Sequence, residues 1–253
     1  MKRAAPAPRS SAIAAMTTME LRLVLRRGEN LFATIVIPTV VLVLFSSVSI
    51  LPTGNGRPVD FLLPGSIALG IIATSLVSLG ITTAYDRSYG VLKRLGGSPL
   101  TRGDLVIARL VTVLLVETVQ VAVLIGTAIL LLGWAPGAGV DPVLGAVAIV
   151  LGTAAFAGLG LLLAGTLRGE TVLALANLLF LAFLVIGGII VPIERLPTPV
   201  ATVAAALPAA PLADLLRTSL GSGGAEDPAG AIALLGGWAL VTVALAARRF
   251  RWE

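Results

Sequence analysis

Few side chains in this sequence could do chemistry, and their positions narrow what that chemistry is. The 253 residues include no cysteine and no histidine, which removes disulfides, thiolate metal sites, the commonest metal ligand and the commonest general base. No metal site is expected, and an enzyme would need clustered carboxylates or a serine-based site, whereas the acids are scattered through loops. Only two lysines occur, Lys2 and Lys93, neither in a G-x-x-x-x-G-K-[ST] setting. The chain therefore has no phosphate-cradling loop, and any ATP must be held by another chain. Within the apolar stretches, Glu117 and Gln120 are three residues apart and share a helix face. A carboxylate at that depth is costly and faces a cavity or a partner. Glu117 is either a substrate-lining or coupling residue, or a side chain hydrogen-bonded within the bundle; no second acid or base in the other apolar stretches completes a proton relay. Asn177 reads as a group that hydrogen-bonds between helices.

The one long charged segment inside the oily part of the chain runs from Tyr85 to Arg109, YDRSYGVLKRLGGSPLTRGDLVIAR. Val91, Leu92 and Leu95 recur at helical spacing with Lys93 and Arg94 turned away, which predicts a short amphipathic helix over Asp86 to Leu95. Gly96 and Gly97 end it, Ser98-Pro99 bends the chain, and Thr101 with Asp104 forms a capping-box signal for the next helix. The segment fits a docking surface; it equally fits a solvated loop whose basic residues hold it in the cytoplasm.

These residues need a membrane scaffold. With 57% hydrophobic and 12% charged residues and a mean hydropathy of +1.02, the chain lies outside the range of water-soluble domains. Spanning a bilayer takes about 20 apolar residues. Six stretches qualify: Leu31 to Leu51, Phe61 to Thr83, Leu105 to Leu132, Val143 to Leu167, Thr171 to Pro192, and Ala229 to Ala247. Pro38 and Pro64 predict kinks in the first two. Ala154, Gly158, Gly160 and Ala164 predict close helix packing in the fourth. Residues 1–15 read as a cytoplasmic tail and Met16 to Arg27 as an imperfectly amphipathic helix in the headgroup region, or a basic flank that fixes topology. Of the 18 basic residues, only Arg57, Arg195 and Arg217 fall on the outer side when both termini are placed in the cytoplasm. The net charge of +5 thus belongs to inner loops and does not point to nucleic acid. One domain, residues 1–253, is expected, with 1–30 as tail and interfacial helix and 31–253 as a six-span bundle.

The connection from Ile193 to Pro228 differs from the other loops. Val200 to Leu207 and Leu212 to Leu220 are apolar but too short to cross, which fits re-entrant or interfacial helices. Thr198-Pro199 and Asp227-Pro228 each pair a capping residue with proline at the first helical position.

An N-terminal interfacial helix before six spans, the charged segment from Tyr85 to Arg109, and the stretch GGIIVPIERLPTPVATVAAALPAAPLADLLR together resemble the membrane (permease) subunit of type-2 ABC exporters, which include bacterial drug, antibiotic, and lipid or glycan efflux permeases. The resemblance covers about residues 16 to 250. It implies an all-α integral membrane fold with six transmembrane helices, an N-terminal interfacial helix, a cytoplasmic coupling helix, and short re-entrant external helices between spans five and six. It implies coupling to an ABC ATP-binding subunit through Asp86, Tyr89, Gly90, Val91, Leu92, Lys93, Arg94, Leu95 and Pro99. An external gate region is implied at Gly188, Pro192, Leu196, Pro197, Leu207 and Pro208. The family commonly has a glutamate-rich lead followed by Gly-Thr before the coupling helix, whereas this chain reads Asp86-Arg87-Ser88-Tyr89-Gly90-Val91. A second permease copy or paralogue, membrane lipid, and ATP with Mg on the partner ATPase complete the implied assembly, in the bacterial plasma membrane with cytoplasmic termini. The function implied is ATP-driven outward movement of a hydrophobic or amphipathic substrate, with no catalytic residue on this chain.

An ion-coupled secondary transporter is the alternative. It would predict inverted repeats, broken helices and midplane ionisable groups, of which only Glu117 is present.

Overall fold

A computed structural model of the chain describes residues 8–26, 28–47, 57–97, 101–137 and 139–249. Every regular element among them is helical. Helix α1 (Arg9–Arg26) precedes α2 (Gly28–Ser47). A continuous helix, Pro58–Ser88, follows, made of α3 (Pro58–Ile72), a π-helical segment (Ala73–Ser78) and α4 (Leu79–Ser88). Then come the short α5 (Val91–Gly96), α6 (Arg102–Leu132), α7 (Pro142–Thr166) and α8 (Gly169–Ile186). A 3₁₀ turn (Ile193–Arg195), α9 (Thr198–Ala206), α10 (Ala209–Ser219) and α11 (Pro228–Arg249) complete the chain.

Five of these helices are long and apolar enough to cross a membrane: Pro58–Ser88, Gly103–Leu132, Pro142–Thr166, Gly169–Ile186 and Pro228–Arg249. They overlap five of the six expected spans, the fifth ending at Ile186 and not at Pro192. The first expected span corresponds to α2, whose apolar part, Thr34–Ser47, is shorter; the remainder, through Leu51, lies outside the described residues. Between α8 and α11, α9 and α10 are bent by 78°, as two short apolar helices separated by Leu207-Pro208 require. Helix α9 begins at Thr198 with Pro197 as its cap, one residue earlier than the sequence suggests. Pro199 still falls in the first turn, where its missing N–H costs nothing.

Helix α7 is the central post, and its glycines set how closely its neighbours approach. A Cβ on Gly160 would sit 2.8 Å from the Leu76 carbonyl oxygen, and one on Gly158 would sit 2.7 Å from the Val243 nitrogen. The glycines expected to permit close packing thus seat α7 against the π-helical segment on one side and α11 on the other. Ala164 is buried with Ala84 and Val172, and Ala154 packs half-buried on the main core. That core joins Leu63, Ile71 and Ile72 of α3 to Phe156 of α7 and Leu212 and Leu215 of α10. The bent pair α9 and α10 is therefore reached by the bundle's own packing, through α10.

The segment from Asp86 to Gly97 corrects one expectation. Instead of a single helix over Asp86 to Leu95, α4 runs on to Ser88, the chain turns at Gly90, and α5 starts afresh at Val91. Gly90 adopts φ 70°, a left-handed conformation in which a Cβ would be strained and glycine is not. The capping box at the next helix is as expected: the Asp104 amide donates to Thr101 Oγ1 at 3.2 Å, and the Thr101 amide donates to Asp104 Oδ2 at 3.0 Å.

Candidate functional site

Three groups of residues at different depths, plus a cleft beside them, carry the chain's chemistry. At the end of the bundle bearing α5, Leu92 is completely buried, against Met16 of α1 and Leu105, Val106 and Ala108 of α6. Leu95 packs half-buried on the same cluster. The leucines of the amphipathic stripe are therefore spent inward, where the nearest apolar surface is the seam between α1 and α6 of the same chain. They do not form a free face for a partner. What α5 presents outward is Val91, Lys93 and Arg94, beside Tyr89, which is 74% exposed. Tyr89 stacks on Tyr85 with ring centroids 6.1 Å apart. Pro99 lies outside the described residues.

Asp86, expected to belong to this docking surface, turns into the bundle. Its carboxylate accepts from Arg109 at 2.7 Å, and the same guanidinium nitrogen lies 3.2 Å from Glu20 of α1. Arg109 also donates to the Thr83 hydroxyl. With 2% of its surface exposed, Arg109 is the largest fully buried side chain described. Arg9, at the start of α1, donates to Asp104 at 2.8 Å. Thus α1 is fastened to α6 by two ion pairs and to the base of α4 by the shared Arg109. Sequence reasoning treated Arg109 as an orientation charge and passed over Glu20. The available signals were an arginine placed within a predicted span and a single acid in a basic amphipathic helix.

At mid-depth, Glu117 and Gln120 of α6 meet the π-helical segment. Ser75 donates to one oxygen of Glu117 at 2.6 Å, and Thr153 of α7 donates to the other. Gln120 donates to the Thr34 carbonyl of α2 at 2.6 Å, and Thr74 donates to Gln120 at 3.4 Å. Gly70 leaves room for this amide, since a Cβ there would lie 2.5 Å from Gln120 Nε2. Three helical elements, α2, the π-helical segment and α7, are tied by hydrogen bonds to two side chains of α6. These side chains are all buried, and buried polar groups are satisfied by such bonds.

Asn177 is placed differently from its expected role. Its amide donates to Leu173 of its own helix at 2.8 Å, so among the described residues it joins α8 to no neighbour. It lines instead an open cleft of about 320 Å³ between α2 and α8, with Ile37, Pro38, Leu69, Val77 and Phe180. The flanking helices keep large apolar side chains exposed, including Ile37 and Leu44 on α2 and Leu178 and Leu181 on α8.

At the opposite end, Gly188 adopts φ 72° and turns the chain after α8. Its carbonyl accepts from Arg217 of α10. Arg217 also pairs with Asp214 at 3.0 Å and stacks 4.4 Å from the Phe61 ring centroid at the start of α3. Pro192 caps the 3₁₀ turn that ends at Leu196, Pro197 caps α9, and Leu207-Pro208 forms the bend before α10. The expected gate residues thus occupy the turns of one connected structure. Arg217, unnoticed in sequence beyond its charge, is what joins it to the spans.

Among the described residues no group of histidine, cysteine or acidic side chains could hold a metal ion. A family model described as "ABC-2 type transporter" matches residues 11–220. No curated protein matches the chain.

Proposed function

The chain belongs to the ABC-2 type transporter family, a family of transport permeases, and on that premise we propose that it moves a hydrophobic or amphipathic substrate out of a bacterial cell. ATP is hydrolysed by a separate ABC ATP-binding subunit. The termini and α5 face the cytoplasm, and α9 and α10 face outward, in keeping with the arginine and lysine distribution. Two permease subunits, identical or paralogous, close the exposed apolar faces of α2 and α8 over the cleft, which becomes half of the path. The whole chain, 1–253, acts as one transmembrane domain.

The observation that carries this reading is the anchoring of α5. A six-residue helix held on the α1–α6 seam by Leu92 presents Tyr89, Val91, Lys93 and Arg94 away from the bundle. An aromatic residue flanked by cations is the composition of an interface anchor with a charged rim. Movement of a docked ATPase would reach α6 and α4 through Leu92 and the Arg109 ion pairs, so the spans are the bistable element and ATP on the partner biases it.

The test is co-expression with the ATP-binding subunit from a neighbouring reading frame. The purified complex is expected to hydrolyse ATP and the isolated chain not to. Turnover by the chain free of any ATPase, or failure of the two proteins to associate, would overturn the reading.

A further inference from the structure

A second cleft lies between α1, α2, α4 and α6, at the level of the Arg109 ion pairs, and Glu20, Asp86 and Arg109 line it. We propose that this cleft receives the positive centre of an organic cation whose apolar body lies in the adjoining cleft between α2 and α8. The inference rests on the transport reading above and names its substrate class.

Charge and shape both support it. Two carboxylates face one guanidinium there, and Arg109 engages a single oxygen of each. The remaining walls include Leu23, Val24, Leu79, Val113 and Val116, so the excess negative charge of the trio sits where water screens it poorly and a counter-cation is favoured.

Thr34, Ser78 and Thr82 line both clefts, so the two adjoin around the π-helical segment and α4. Charge at one end, hydroxyls at the junction and Ile37, Pro38 and Phe180 at the other match a molecule with one positive centre and an apolar body.

The test uses the full chain in phosphatidylcholine nanodiscs and two probes with the same chain and opposite heads, decyltrimethylammonium and decanesulfonate. Heats of binding are corrected with empty discs. The ammonium is expected to bind saturably and at least about tenfold more tightly than the sulfonate, a difference of about 1.4 kcal/mol. Combining Glu20→Gln with Asp86→Asn should weaken it by about tenfold or more. Ser78→Leu, which narrows the junction while leaving the ion pairs in place, should also weaken it. Equal binding of the two probes, tighter binding of the sulfonate, or unchanged ammonium binding in Ser78→Leu would overturn the proposal. Because no ATPase is present in this assay, such a result would leave the permease assignment standing.

Discussion

Ser75, inside the π-helical segment, donates its hydroxyl hydrogen to Glu117 of α6 at 2.6 Å, and that carboxylate also accepts from Thr153 of α7. The fully buried acid therefore accepts from hydroxyls on two other helical elements. Interhelical hydrogen bonds in membranes contribute about 0.6 kcal/mol each, up to about 1.7. Glu117→Gln keeps a polar group in the same volume, whereas Glu117→Leu removes both acceptors. We expect the leucine variant to melt well below wild type in detergent and the glutamine variant to fall between them. A leucine variant as heat-stable as wild type would show that the cluster does not hold the π-helical segment.

Leu92 and Tyr89 are expected to behave oppositely. Leu92→Asp puts a carboxylate among Met16, Leu105 and Val106, and an unpaired buried charge costs about 3–5 kcal/mol. That variant should accumulate poorly in the membrane whether or not an ATPase is present. Tyr89→Ala removes an exposed ring and should leave abundance unchanged while lowering recovery of the ATP-binding subunit by pull-down. Normal abundance of Leu92→Asp, or full ATPase recovery with Tyr89→Ala, would return the docking face to the leucines.

Much of this scaffold was legible in sequence because long apolar runs and capping signals are local. The five long helices and the Thr101–Asp104 box follow from residues adjacent in the chain. The direction of Leu92 was not legible. An amphipathic stripe shows that a face is buried but not against which surface, and the α1–α6 seam is formed by residues far apart in sequence. The Glu20–Arg109–Asp86 cluster was missed for the same reason, since it joins α1, α4 and α6. Glu117 and Gln120 stood out alone, but their hydroxyl partners Ser75 and Thr153 are unremarkable in sequence until the helices pack.

Absence of cysteine makes topology directly measurable. Gly137 and Gly223 lie in loops at the α9–α10 end, and Gly169 begins α8 at the end bearing α5. Single cysteines at Gly137 and Gly223 should react with an impermeant maleimide in intact cells. One at Gly169 should react only after the membrane is opened. Labelling of Gly169 in intact cells would invert the orientation on which the inner and outer assignments rest.

The last prediction concerns the tie between Arg217 and Gly188. Arg217 donates to the Gly188 carbonyl, pairs with Asp214 and stacks on Phe61, so one guanidinium joins α10, the turn after α8 and the start of α3. A lysine carries the same charge but neither the planar fork nor the stacking surface, so Arg217→Lys should behave like Arg217→Ala. Gly188→Ala attacks the same joint from the backbone: at φ 72° an alanine costs about 1–2 kcal/mol, and its Cβ would approach Ile193 Cγ1 to 3.0 Å. If the joint holds the bent pair in place, hydrogen exchange across α9 and α10 should rise by roughly tenfold in all three variants, as a loss of about 1.4 kcal/mol dictates. Exchange in α6 and α7 should not change. Wild-type protection in Arg217→Lys would mean that charge alone suffices, and the stacked, forked geometry would then have no part in holding α9 and α10.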